Sequence, residues 1–551
     1  MTGTVIDLAT AVAEILSRGE DAAAIQDQAR QVGGCERPIR LRGHLDTIDR
    51  HTGEVEPYWS SGKLPDGVVH TRCNNRRASR CQPCSRLYQQ DAGQLVVSGL
   101  AGGKGVPDTV GEHPMLFMTL TAPSFGRLHT RVVNDGQTAP CRARRDEADQ
   151  VCAHGRPVTC ASRHEEDDPE LGRPLCTDCW DYAGAVLWNA HASELWRRTR
   201  IRIYRELAAL AGISERRLRR EVSVQYVKVA EYQKRGLIHF HILIRLDAAR
   251  PPATHRLGIP WRLPHRITPP PPRYTVELLA QAIRHAVARV EVPYQQHLVD
   301  ESAGQGPAAF PQGTWRQPPL TRSHCPRMAG GDPGTGSLTQ PTPLAPPTDR
   351  DDSRHRRLPD ASLVPKARCA RWGAQIDVRE VQADERGKIV GYLAKYATKH
   401  TECIGGLDRR LDVADLDTLP VPEHIYRLVV VTWRLALRDP GLRTDRWAHQ
   451  LGYGGHFLTK SRHYSTTFTK LRTARARWAA WQRALNRVEV WELFRASARQ
   501  AVVKRWQVAG FGWRLSGDAL LARTAREQAQ AAREAAREAR HELTEALALA
   551  G

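Results

Sequence analysis

Two histidines separated by one residue, inside an otherwise apolar run, are the side chains whose spacing most directly suggests chemistry. The run reads Leu237-Ile238-His239-Phe240-His241-Ile242-Leu243-Ile244. Side chains alternate across a strand, so His239 and His241 share one face while Ile238, Phe240, Ile242 and Ile244 share the other. One face can pack and the other can hold a divalent ion. Glu231 precedes the turn signal Gln233-Lys234-Arg235-Gly236, and a hairpin there brings its carboxylate within reach as an oxygen ligand. A strand with two solvent-facing histidines is the plainer reading of the pair taken alone. A metallo-hydrolase would commonly place an acid two residues further on, where this chain has Leu243.

A second pattern is Tyr392-Leu-Ala-Lys395-Tyr396-Ala-Thr-Lys399. On a helix the two tyrosines stand four apart on one face, each with a lysine three residues later. A phenol with a pKa of about 10 is a poor nucleophile until a cation stabilises the charge that develops. The chain has only 11 lysines, so two in this register are unusual. The competing reading is an amphipathic helix burying its aromatics.

The 12 cysteines supply a third pattern. Cys81-x-x-Cys84 and Cys176-x-x-Cys179 have the gap that wraps thiolates around zinc, with Cys73 before the first pair and Cys152 and Cys160 before the second. His154, His164 and Cys141 can also complete a tetrahedron. Structural zinc is expected, in one site or two. Cys35, Cys325, Cys369 and Cys403 are isolated and receive no role.

Several elements must position these groups. The first thirty or so residues read as one amphipathic helix, followed by an irregular segment up to Cys73. A strand is expected at Met115-Leu-Phe-Met-Thr119-Leu-Thr121, a long helix from Asp181 to Leu210, and a hairpin from Val222 and Leu237. A helix near 274–291 precedes a Pro/Gly/Ser-rich stretch, 302–365, expected to be a disordered insertion. The run AQIDVREVQ reads as a strand, GKIVGYLAKYATKH as a helix, and the remainder as helical and basic. The expected fold class is α+β, with a zinc-bearing region inserted around the first strand of the sheet. The expected division is 1–69, an N-terminal helix and irregular segment; 70–400, a zinc-bearing domain that holds the histidine and tyrosine patterns and the insertion at about 302–365; 401–515, a basic helical region; and 516–551, a solvated helix or short coiled coil.

A net charge of +21 favours a polyanionic partner. No run approaches a membrane span, the N-terminus lacks the basic region of a secretory signal, and a bacterial cytoplasmic protein is expected. There is no GxxxxGK[ST] phosphate loop, so no ATPase is expected within the chain.

Three segments in this order, Phe117-Met-Thr119-Leu-Thr121, His239-Phe-His241 and the tyrosine run, resemble the motifs of HUH endonucleases that initiate rolling-circle replication. The paired tyrosines are similar to those of gene A proteins of isometric phages. The wider text, including CNNRRASRCQPC, PLCTDCWDYAGAVLWNAH, RGLIHFHILIRLD and LGYGGHFLTKSRHYSTT, resembles replication initiators of actinomycete plasmids and integrative conjugative elements. The resemblance covers most of residues 70–480. It implies a divalent ion, Mg²⁺ or Mn²⁺, at His239, His241 and Glu231, and tyrosine attack on a phosphate of single-stranded origin DNA. The products are a 5′-phosphotyrosyl link and a free 3′ hydroxyl. Tyr396 is favoured as the first nucleophile, with Tyr392 second, Lys395 and Lys399 beside them, and Thr119 and Thr121 in the first motif. Origin DNA with duplex flanks and a host helicase and polymerase are the implied partners. The rival readings are a paired-tyrosine HUH transposase and a non-catalytic zinc-containing DNA-binding regulator; a relaxase commonly places its tyrosine before the histidines.

Overall fold

In the computed structural model the described residues are 7–142, 151–249, 267–299, 364–399, 409–412, 415–416, 419–485 and 500–550. The expected insertion at 302–365 falls almost wholly outside them, as do Cys325 and Cys403. The elements that frame the site are, in chain order, α1 (Leu8–Ser17), α2 (Glu20–Gln31), β1 (Ile39–Asp49), β2 (Val55–Ser60), β3 (Val69–Thr71), α3 (Gln82–Ala101), β4 (Met115–Leu120), α4 (Tyr182–Leu210), β5 (Val222–Tyr232), β6 (Ile238–Ala248), α5 (Val276–Arg289), β7 (Ile376–Glu380), α6 (Arg386–Tyr396), α7 (Glu423–Arg438), β8 (Leu458–Lys460), β9 (Gln500–Phe511) and α8 (Ser516–Ala550). Helices and antiparallel sheets together make the α+β class. Among the described residues no helix is long and apolar enough to cross a membrane.

The central sheet runs β7-β4-β6-β5-β8, and all its pairs are antiparallel. Its alternating sequence sorts side chains to two faces. Ile238, Phe240, Ile242, Ile244 and Leu246 join Leu116, Met118 and Leu120 in a large core with α4, α5 and α7. On the other face Phe117, Val227, Val229 and Leu243 pack a smaller core with Ala92, Val96, Ile389 and Leu393 from α3 and α6. The histidines lie on this second face. At the far end of β6 the Arg245 guanidinium is fully buried and is paired with Asp247 at 2.7 and 2.9 Å. His113 adds a 2.8 Å contact to the same carboxylate. A buried charge persists only with such partners, and these tie the strand to the segment before β4.

The β5–β6 turn is pinned from below by Asn189 of α4. Its amide donates to the carbonyls of Gly236 and Leu451 at 3.0 and 2.9 Å, and accepts from the backbone of Ile238 at 3.0 Å. Gly236 adopts φ +79°, and a Cβ there would come within 2.5 Å of Leu428. Glycine suits the positive φ here, and any side chain would also have to displace the Leu428 methyl of α7.

Three expectations about the ends of the chain are corrected. The N-terminal helix is two helices, broken at Gly19 with φ +53°. The segment before Cys73 holds β1, β2 and β3, and β1 pairs along its whole length with β9, a strand where helix was expected. The C-terminal helix is solvent-exposed over 531–540, but it buries Asp518, Ala522 and Ala525 at its beginning, the alanines against Ala29 of α2.

Candidate functional site

The antiparallel register places Glu231 directly opposite His239, and Thr119 opposite His241. Three ligand atoms converge as a result. Glu231 Oε2 lies 3.0 Å from His239 Nε2 and 3.3 Å from His241 Nε2, and the two imidazole nitrogens are 3.2 Å apart. Neighbouring ligands in an octahedron with bonds of about 2.1 Å are about 3 Å apart, so the donor set has the spacing and the hard–borderline chemistry of a divalent-ion site. Burial opposes ionisation of Glu231, but hydrogen bonds with His239, His241 and Lys399 outweigh it and hold the carboxyl down at about 2. Burial pushes the His241 imidazole below the usual histidine range, which favours the neutral, ligating form. Its other nitrogen, Nδ1, lies 3.1 Å from Thr119 Oγ1, a contact that orients the ring.

Helix α6 lays both tyrosines over this group. The Tyr392 hydroxyl is 3.1 Å from His241 Nε2, and the Tyr392 and Tyr396 rings meet edge to face with centroids 4.3 Å apart. Burial first, then Tyr396 and Glu231, push the Tyr392 phenol well above its usual range. Lys399 lies three residues beyond the end of α6. Its ammonium donates to Glu231 Oε1 at 2.8 Å and sits 4.1 Å from the centroid of the Tyr396 ring. Phe117, one β4 residue pair from Thr119, packs against both His241 and Tyr392. Lys395 is exposed, 5.9 Å from the Tyr396 centroid, and Thr121 donates to the backbone of Gln375 at 3.1 Å instead of touching the histidines.

One carboxylate and two imidazoles lie under a pair of phenols, an arrangement chemically suited to phosphoryl transfer. The family described as replication initiator protein, pSAM2, matches residues 21–306 and 339–527. The chain belongs to that replication initiator family. A replication initiator protein of Streptomyces ambofaciens is 36% identical over 520 residues, covering 93% of this chain and 91% of that protein. No solved structure matches.

In this initiator the cysteines sort into groups that spacing alone had left open. Cys35, Cys73, Cys81 and Cys84 form one, His129, Cys141, Cys160 and His164 a second, and Cys152, His154, Cys176 and Cys179 a third. Cys35, given no role from the sequence, lies 3.7 Å from Cys81 Sγ and 3.6 Å from Cys84 Sγ. Thiolates around zinc with bonds of about 2.3 Å are about 3.8 Å apart, so the four sulfurs fit a tetrahedral ion. In the second group His164 Nδ1 is held by Asp168 at 2.7 Å, leaving Nε2 toward Cys160 and His129. Cys369 stays apart, beside Arg371 and Glu291.

Arg76, between Cys73 and Cys81, is a residue that sequence reasoning missed. Its guanidinium donates to the carbonyl of Lys399 at 2.8 Å and of Ala397 at 3.4 Å, and lies 4.0 Å over the Phe457 ring. It therefore satisfies carbonyls left open where the tyrosine helix ends. A cation at a helix C-terminus stabilises by roughly 0.3–1 kcal/mol, so Arg76→Ala is expected to cost about that much stability, read as a small drop in melting temperature. An unchanged melting temperature would remove Arg76 from the support of the helix end.

Proposed function

We propose that this initiator nicks one strand of its replicon's origin as an HUH-type endonuclease, starting rolling-circle replication. The convergence of Glu231, His239 and His241 beneath Tyr392 and Tyr396 carries this reading. Those three residues would hold Mg²⁺ or Mn²⁺, which supplies Lewis-acid polarisation of the scissile phosphate. The Tyr396 oxygen attacks phosphorus, the bond to the 3′ oxygen breaks, the phenol gives up its proton and the departing oxygen takes one up. A 5′-phosphotyrosyl link and a free 3′ hydroxyl result. Lys399, over the Tyr396 ring and bonded to Glu231, places a cation where negative charge develops. Tyr392 then serves the second cleavage, so strand transfer needs no external energy source. The family favours an initiator over a transposase or a non-catalytic regulator. A host helicase and polymerase would supply unwinding and synthesis, and the net charge of +21 would favour contact with duplex phosphates. The unit we assign to catalysis, expected at 70–400, also takes in β8, which pairs with β5.

The test is covalent capture. Purified protein with Mg²⁺ or Mn²⁺ and a single strand from the replicon's origin should give a DNA-linked band stable to denaturant. No adduct on any strand spanning the origin would rule the nuclease out.

We also propose zinc in the three Cys/His groups, holding folded loops that have little apolar core of their own. Cys35→Ser should then lower bound zinc by about one equivalent and reduce thermal stability, because site formation is coupled to folding. Unchanged zinc content by mass spectrometry under native conditions would remove Cys35 from the ligand set.

A further inference from the structure

Beside the histidines, at the turn end of the β5–β6 hairpin, lies an open cavity of about 560 Å³. Its walls come from four places: the residues after β4, the hairpin turn, the residues before β7, and the Cys/His-rich segment at 128–131 and 171–172. It continues the catalytic face. Thr121, one residue past the end of β4, follows Thr119 by two residues, about 7 Å at the rise of an extended chain. Gln233 lies two residues beyond Glu231 in the same direction.

The walls are held in place by the backbone. The Arg235 guanidinium spends its donors on the carbonyls of Ala122 and Pro123, at 2.8 and 2.9 Å, and on Gln233 Oε1 at 2.8 Å. With its oxygen engaged, the Gln233 amide nitrogen is left to donate. Gly373 donates to the Thr121 carbonyl at 2.8 Å, and a Cβ on it would approach the Ala122 oxygen to 2.8 Å. The opposite wall is a paired strip in which His129 and Gly172–Arg173 exchange backbone bonds of 2.9 Å. His129 also belongs to the second Cys/His group, which anchors the strip. At Gly172 a Cβ would lie 2.6 Å from Lys234, so strip and hairpin turn meet closely.

The lining combines apolar Leu128 and Leu171, amides at Gln233 and Gln375, and at the rim the exposed cations Arg131 and Lys234, the latter also donating to the Glu166 carbonyl at 2.6 Å. Apolar flats suit the face of a base, amides its hydrogen-bonding edge, and cations its phosphate. The volume falls within the roughly 300–1,000 Å³ of small-ligand sites. We infer that this cavity is a subsite for one unstacked nucleotide of the substrate strand, next to the scissile phosphate, and that the Cys/His-rich segment serves to build its outer wall. The inference rests on the nuclease reading for its substrate, and it adds a place where sequence is read.

Binding, not cleavage, tests it. A full-length Tyr392→Phe/Tyr396→Phe protein is titrated by fluorescence anisotropy with short single strands tiling the origin, and the tightest strand is then rebuilt with one abasic position at a time. One position should cost about tenfold or more in affinity, the scale of a lost base contact. That penalty should shrink to near nothing in Gln375→Ala and in Gln233→Ala; if Gln233→Ala disturbs the turn, Gln375 alone decides. A flat abasic profile, or an undiminished penalty in Gln375→Ala, overturns the subsite. Absence of nicking by the wild-type protein would bring down the nuclease reading and leave this profile readable.

Discussion

Tyr396→Phe is expected to lower the rate of covalent capture of origin DNA by at least about 10³-fold, because under the proposed mechanism it removes the attacking oxygen and, besides that, only a hydroxyl contact with Tyr392. The ring contacts survive the substitution: Tyr396 keeps its edge-to-face packing on Tyr392 and its place beneath Lys399. Strand binding should therefore change little. Tyr392→Phe should leave most of the first cleavage and mainly impair joining of strand ends, with a modest loss on the first step from the 3.1 Å contact with His241. A packed amphipathic helix without chemistry expects both changes to be nearly silent. Mass spectrometry of the trapped peptide decides among these. An adduct on Tyr392 in the wild-type protein would exchange the two roles, and a DNA-linked peptide lacking both tyrosines would end the mechanism.

The parts of this site legible in the sequence are those where local periodicity carries the information. His239 and His241 alternate with Ile238, Phe240 and Ile242, and a strand with that alternation puts both histidines on one face and the large core on the other. The four-residue spacing of Tyr392 and Tyr396 likewise survives into α6. What stayed hidden depends on chain segments that meet from far apart. Cys35 joins Cys81 and Cys84 only because the chain turns back after α2, and no local spacing signals it. His129 is invisible for the same reason. Strand β1 escaped because its alternation is of Arg40, Arg42 and His44 with Leu41, Gly43 and Leu45, and its partner β9 comes from the other end of the chain. The early part of α8 read as solvated because it buries alanines, whose small side chains leave only a faint apolar stripe. Arg76 is the functional counterpart: one arginine among many, distinguished only by the carbonyls it reaches.

The second large effect is expected at the proposed ion ligands, where stability and chemistry can be separated by comparing the two histidines. His241 is 3% exposed and contacts Thr119, Glu231 and Tyr392 at once. His241→Ala therefore leaves a small void and an unpaired hydroxyl at Thr119, a cost of about 1–3 kcal/mol that lowers the melting temperature. His239 is less enclosed, and its polar contacts are with Glu231 and His241. His239→Ala should then melt close to wild type. If both imidazoles ligate one ion, the two variants must nonetheless fail alike, losing nicking by about 10²-fold or more and losing Mn²⁺ binding measured by paramagnetic resonance. Omitting Mg²⁺ and Mn²⁺ from the wild-type protein, with zinc left in place, should mimic them, and single-strand binding by anisotropy should persist in all three cases. If activity instead follows melting temperature, with His239→Ala nicking normally, the histidines are structural and the ion lies elsewhere.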